Sequence, residues 1–206
     1  MNPYIEVRNV SKIFGNNPKA AIALLKQGKT KKEILSATGQ TVGVKNVSFE
    51  IYPGEIFVIM GLSGSGKSTL IRMFNRLIDP TIGEILIENE DIVKMNDARL
   101  REVRQKKISM VFQNFALFPH KTILDNTEYG LEIQKVPPEQ RKEKAMRALE
   151  VVGLKGYENQ LPKQLSGGMQ QRVGLARALA SNTSVILMDE AFSALDPLIR
   201  KDIDRK

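Results

Sequence analysis

Apolar residues recur along this chain in two rhythms. Over Ile5–Val10 and Val47–Ile51 they alternate with polar residues, the period of a strand with one wet face, which predicts an antiparallel β region near the start. Ile56–Met60, Ile108–Phe112 and Val185–Met188 are apolar at nearly every position, as central strands covered on both faces would be. Elsewhere the spacing turns helical. Leu70, Ile71, Phe74, Leu77 and Ile78 predict a helix running to Pro80. Further helices are expected over Arg99–Lys106, Ile123–Gln134 and Glu139–Val152, the last opened by Pro137 and Pro138 and closed by Gly153. Strands alternating with helices predict an α/β domain with a largely parallel sheet.

The stretch between Phe14 and Val44 interrupts this plan with two short helical patterns. The first runs from Ala20 to Gln27 and stops at Gly28. The second opens at Thr30, whose hydroxyl forms a capping-box pair with Glu33, and stops at Gly39.

Composition narrows the class. With 206 residues, 42% hydrophobic and 26% charged, the chain can bury a core, which excludes disordered and fibrous types. It has no cysteine, so neither disulfides nor thiolate chemistry can be invoked. The first strand pattern begins at Ile5, unlike a signal peptide, so export is not expected. No apolar run approaches the roughly 20 residues that span a bilayer, so membrane association is expected to come through a partner. The formal charge is +8, but Lys26, Lys29, Arg99, Arg104, Arg141 and Lys144 are spread over helical polar faces. That favours a solvated surface, or one beside an anionic leaflet, and no nucleic-acid partner is expected.

The chemistry starts after Met60, where GLSGSGKST (Gly61 to Thr69) places a GxxxxGK[ST] pattern between strand and helix. Gly61, Gly64 and Gly66 let the backbone curl so that N–H groups, including those of Ser63 and Ser65, can meet phosphate oxygens. Lys67 adds charge at the β and γ phosphates, and Ser68, followed by Thr69, offers a hydroxyl to Mg²⁺. ATP and Mg²⁺ are therefore the expected cofactors. At the end of the last apolar strand, Asp189 is suited to hold Mg²⁺ through water, and Glu190 to polarise a water in line with the γ-phosphate.

LSGGMQQRVGLARALA, Leu165 to Ala180, reads as a second anion-binding helix start: Ser166 caps, and Gly167 and Gly168 expose backbone N–H groups. It resembles the signature motif of ABC ATPases. The resemblance implies a P-loop NTPase (RecA-like) ABC core with an N-terminal antiparallel β region and an inserted α-helical subdomain. It also implies a homodimer in which Ser166, Gly167 and Gly168 close over ATP bound by the other copy. Gln113 looks like the Q-loop glutamine, contacting Mg²⁺ or the attacking water, which gives Glu190, Gln113 and Lys67 as the catalytic set. Ser193–Asp196 looks like the D-loop. Phe14 is a candidate for stacking on adenine, though a lone aromatic serves equally as core. Asn114–Lys121 is either a groove for a membrane permease subunit or packing of the helical subdomain.

The 14–44 insertion, with GLSGSGKSTLIRMFNRLIDPT, VFQNFALFPHKT and MDEAFSALDPLIR, is similar to ATPase subunits of glycine betaine/proline betaine importers over essentially the whole chain. This implies a peripheral subunit on the cytoplasmic face of the cell membrane, served indirectly by a solute-binding protein. Residues 1–95 and 174–206 would form the ATP-binding core, with the family-type insertion at about 18–43, and 96–173 the helical subdomain. The family pattern continues beyond Asp196 to a switch histidine and often to regulatory domains, so the chain reads as an incomplete domain. Import of another small solute is the nearest alternative. A DNA-repair ABC ATPase is disfavoured by the absent cysteines and the short Gly61–Asp189 spacing, and a P-loop kinase or GTPase needs no Leu165–Gln170 motif.

Overall fold

β1 (Ile5–Phe14) buries Ile5, Val7, Val10 and Ile13 and is the organising strand of the first half of the chain. The computed structural model describes residues 2–189, which divide into two compact units meeting between Leu100 and Arg101. In the first unit β1 is followed by α1 (Pro18–Lys26), α2 (Lys31–Thr38), β2 (Thr41–Ile51), α3 (Lys67–Met73), β3 (Ile82–Ile87) and β4 (Glu90–Asp91). The four strands form an antiparallel sheet in the order β2-β1-β3-β4. The predicted wet-faced antiparallel region is therefore present, extended by a β3–β4 hairpin that has no counterpart among the predicted elements. Its turn residues Glu88 and Asn89 both take positive φ (50° and 64°), as a two-residue hairpin loop compatible with strand twist requires.

The insertion folds as its punctuation predicts. Pro18 opens α1, and Gly28 follows it at φ 81°. In α2 the Thr30 hydroxyl accepts the Glu33 N–H while the Glu33 carboxylate accepts the Thr30 N–H, and Gly39 ends the helix at φ 67°. Ala21, Leu25 and Ile34 pack on Ile13 and Val42 of the sheet. Burying a side chain such as Ile34 contributes about 1.5–3 kcal/mol, so apolar contact as well as capping holds the hairpin down.

Two expectations are corrected here. Ile56–Met60 is not part of the four-stranded sheet of its own unit, and Ile56, Val58, Met60 and Leu62 are exposed rather than buried. An all-apolar run supplies the composition of a central strand, but a ladder needs a neighbouring strand as well. The helix expected to reach Pro80 ends at Met73 instead. Arg76 adopts φ 53°, the Ile78 N–H donates back to the Arg72 carbonyl, and the Asn75 side chain accepts the Leu77 N–H, which together close the helix early.

α4 (Asp97–Lys106) crosses from the first unit into the second, which continues with β5 (Ile108–Val111), α5 (Ile123–Ile133), α6 (Pro138–Val151), α7 (Gly167–Ala180) and β6 (Val185–Met188). β5 and β6 pair in parallel, from Ile108 opposite Val185 to Val111 opposite Met188. They are less enclosed than predicted: Ile108, Val111 and Leu187 are buried, whereas Val185, Ile186 and Met188 are half-buried. Ile123, Leu131, Leu149, Val173 and Leu175 form the core of the unit. Along the middle of α7, Val173, Gly174, Leu175 and Ala176 are all buried in succession, the mark of a helix enclosed on every side.

Candidate nucleotide site

In the first unit the segment Gly61–Thr69 curls into α3 as its glycines require. Gly64 and Gly66 take φ values of 73° and 103°, and the Ser65 N–H closes a turn on the Leu62 carbonyl at 3.2 Å. Lys67, the first residue of α3, folds back so that its Nζ donates to the carbonyls of Gly61 and Leu62, each at 2.9 Å. Its ammonium is thus drawn over the loop that precedes its own helix. Ser63 and Ser65 are exposed, Ser68 and Thr69 sit half-buried on the first turn, and Leu70 and Met73 anchor the helix below.

The same loop is seated on β2. Val42 pairs with Ile13 and Val44 with Lys12, so Gly43 is an extra residue, a bulge in the strand. Gly66 approaches the Gly43 carbonyl so closely that a Cβ on Gly66 would lie 2.5 Å from it. The Phe14 ring covers the other side of Gly43, with Cε2 2.7 Å from where a Gly43 Cβ would be. Phe14 is 40% exposed, with the Lys12 ammonium 5.2 Å from its ring centroid. An accessible aromatic face and a phosphate-type loop thus share one glycine as their floor. Gly43 was not among the expected site residues; its signal was a lone glycine between Val42 and Val44.

In the second unit the Asp189 N–H donates to the Val111 carbonyl at 3.1 Å, continuing the β5–β6 ladder and leaving Asp189 fully buried. Gln113, two residues past β5, is exposed at the same carboxyl edge of the parallel pair. Ser166 caps α7, its Oγ accepting the Met169 N–H at 3.3 Å. Beside it Gly167 and Gly168 have nothing within 4 Å of a hypothetical Cβ, so this helix start is open. Glu190 and Ser193–Asp196 lie outside the described residues.

Asn114–Lys121 is tightly wired by residues that the sequence reading passed over. Phe115 and Ala116 both hold positive φ, 57° and 48°, and the Arg177 guanidinium donates to their two carbonyls at 3.0 and 2.8 Å. Burial pushes the Arg177 pKa down from its ordinary value. Asn126, fully buried, accepts the Phe118 N–H and donates to the carbonyls of Phe118, Lys121 and Thr122. Phe118 meets Tyr129 edge-on at 4.6 Å, and the Lys121 ammonium lies 5.5 Å from the Tyr129 ring.

Residues 44–193 match the family model described as ABC transporter. The chain belongs to the ABC transporter family. Within that family it is 67% identical over 97% of its length to the glycine betaine transport ATP-binding protein OpuAA of Bacillus subtilis. It is 59% identical, again over 97%, to the glycine betaine/proline betaine transport system ATP-binding protein ProV of Escherichia coli. The chain spans about half the length of these relatives, 48% and 50%. Its fold matches the ATP-binding cassette MJ0796, solved as a dimer in a post-hydrolysis state bound to ADP and Pi. That match has a TM-score of 0.80 at 35% identity, covering 97% of this chain and 79% of the other. The fold is thus the α/β P-loop architecture of an ABC cassette, with an antiparallel N-terminal region. No helix among the described residues is long and apolar enough to cross a membrane.

Proposed function

We propose that this chain is the ATP-binding and ATP-hydrolysing subunit of an importer for an osmoprotectant such as glycine betaine or proline betaine. The observation that carries the nucleotide reading is the glycine curl seated on Gly43, with Lys67 folded over it and the accessible Phe14 ring on the same floor. Lys67 and the loop N–H groups of Gly61–Gly66 and Ser68–Thr69 grip the triphosphate, and Phe14 stacks on adenine. In a head-to-tail pair, the open Ser166–Gly168 start of α7 closes over the γ-phosphate held by the other copy. Residues 1–95 and 174–206 serve as the ATP-binding core and 96–173 as the helical subdomain.

Glu190 takes up a proton from the attacking water and Gln113 orients that water. The hydroxyl of Ser68, the amide oxygen of Gln113 and, through water, the carboxylate of Asp189 would hold Mg²⁺, since all three offer the oxygen donors a hard cation prefers. When bound there, Mg²⁺ would supply charge neutralisation at the phosphates beyond what Lys67 provides. The hydrogen-bonded Asn114–Lys121 loop is the surface offered to the permease, on the cytoplasmic face of the membrane, with a solute-binding protein acting on the far side. The choice of solute rests on the 67% identity to OpuAA.

Two variants test this. Lys67→Ala is expected to abolish ATP binding in calorimetry with only a small shift in unfolding temperature, because the two Lys67–carbonyl hydrogen bonds it removes are solvent-exposed. Glu190→Gln is expected to keep ATP bound and stall turnover as a two-copy complex. With the permease reconstituted, glycine betaine should accelerate phosphate release; full turnover by Glu190→Gln would remove the assigned base.

A further inference from the structure

α2 begins at a fixed point. The Thr30–Glu33 capping box sets its first turn, Lys29 pairs with Glu33 at 3.2 Å, and fully buried Ile34 pins the helix to the sheet. From that turn Lys31 reaches across, its Nζ donating to the Gly43 carbonyl at 2.9 Å. A second tie runs the other way, from Lys45 Nζ to the Lys29 carbonyl, also at 2.9 Å. The two ties are not equivalent. Lys45 fastens the insertion to β2 away from the nucleotide residues, whereas Lys31 takes the one carbonyl against which Gly66 is seated. β2 is an edge strand and Gly43 is its bulge residue, with no partner in register on β1. A bulge interrupts the ladder locally, so the Gly43 peptide depends on contacts from outside the ladder to fix its tilt. Tilting that peptide moves the Phe14 ring on one side and the end of the phosphate loop on the other.

We propose that Lys31 is a positioning residue for the nucleotide: by holding the Gly43 carbonyl it sets the separation between the Phe14 ring and Gly66, so that one molecule can engage both at once. The inference rests on the nucleotide site proposed above and assigns that site a control element in the insertion. Base and triphosphate are covalently joined, so their binding energies combine only when the two subsites stand at the right spacing. Losing the Lys31 tie should loosen that spacing while leaving each subsite intact.

The signature is a difference between two probes, MgATP and inorganic tripolyphosphate, measured by calorimetry on the full chain. Lys31→Met keeps the length of the side chain and removes its donor. It is expected to weaken ATP by about three- to tenfold, the net scale of one solvent-exposed hydrogen bond, and to leave tripolyphosphate unchanged. Lys31→Arg, which restores a donor, should recover ATP affinity, and Lys45→Met, which cuts only the other tie, should not alter it. In a Phe14→Ala background, Lys31→Met should have no further effect, because there is no longer a ring to keep in place. Equal loss of both probes would mean that Lys31 touches phosphate directly and would overturn the proposal. So would equal effects of Lys31→Met and Lys45→Met, or additivity with Phe14→Ala. If Lys67→Ala abolishes binding of both probes while Lys31→Met changes neither, the nucleotide site stands and the positioning role alone fails.

Discussion

Gly66 leaves no room for a side chain against Gly43: a Cβ there would sit 2.5 Å from the Gly43 carbonyl oxygen and 3.3 Å from Val44 Cγ2. The obstacle is backbone, which cannot swing aside, and φ at Gly66 is 103°, where side chains are rarely accommodated. Gly66→Ala is therefore expected to cost about 1–3 kcal/mol of stability. It should also lift the loop off its seat and lower ATP affinity more than stability. A denaturation midpoint paired with an ATP titration separates the two effects.

Arg177 is expected to be the main side-chain support of the strained turn at Phe115 and Ala116. Arg177→Met preserves most of the aliphatic stem but leaves two carbonyls of left-handed residues without their charged donor. A loss of about 2–3 kcal/mol in urea unfolding is expected, the value of charged hydrogen bonds in a half-buried setting. Protease cleavage near Ala116 should rise in parallel.

Ser166 has separable structural and functional roles. Ser166→Ala removes the hydroxyl that accepts the Met169 N–H and should cost about 1 kcal/mol of stability. ATP binding to the single chain should be unaffected, whereas steady-state ATP turnover in the assembled transporter should fall steeply. A turnover loss no larger than the stability loss explains would remove Ser166 from the γ-phosphate.

The α2 cap carries a pH dependence of known sign. Hydrogen bonds from the Thr30 backbone and hydroxyl, then Lys29, hold the Glu33 pKa down from 4.5 to about 2. A depressed carboxyl pKa stabilises the fold above its unfolded value, and that contribution disappears as pH falls from about 4.5 through about 2. Glu33→Ala should therefore melt below the parent protein at pH 7, and the gap should close across that acid window. A gap as large at pH 2 as at pH 7 would show that the carboxylate charge plays no part.

The legible parts of this molecule were those written locally. Thr30, Glu33, Gly28 and Gly39 bounded both insertion helices correctly, because caps and left-handed stops act within a few residues. The GxxxxGK[ST] run and the Ser166 cap were equally plain. What escaped depended on distant neighbours. Ile56–Met60 had the composition of a central strand but, among the described residues, no ladder within its own unit, and no local signal encodes a partner. Arg76 in a left-handed conformation ended α3 while the apolar spacing still read as helix. Gly43 matters because Phe14, Lys31 and Gly66 converge on it from separate elements, a convergence visible only in three dimensions.

The exposed side chains of Ile56, Val58 and Met60 bear on how this polypeptide behaves as a material. Five consecutive residues carry neither charge nor proline, the composition that cross-strand stacking favours, and they lie outside the four-stranded sheet of their own unit. Copies meeting in concentrated solution are expected to associate through these exposed apolar side chains. Shelf life would then be governed by crowding more than by heat, and dilution, or a single lysine placed at Val58, should keep preparations clear.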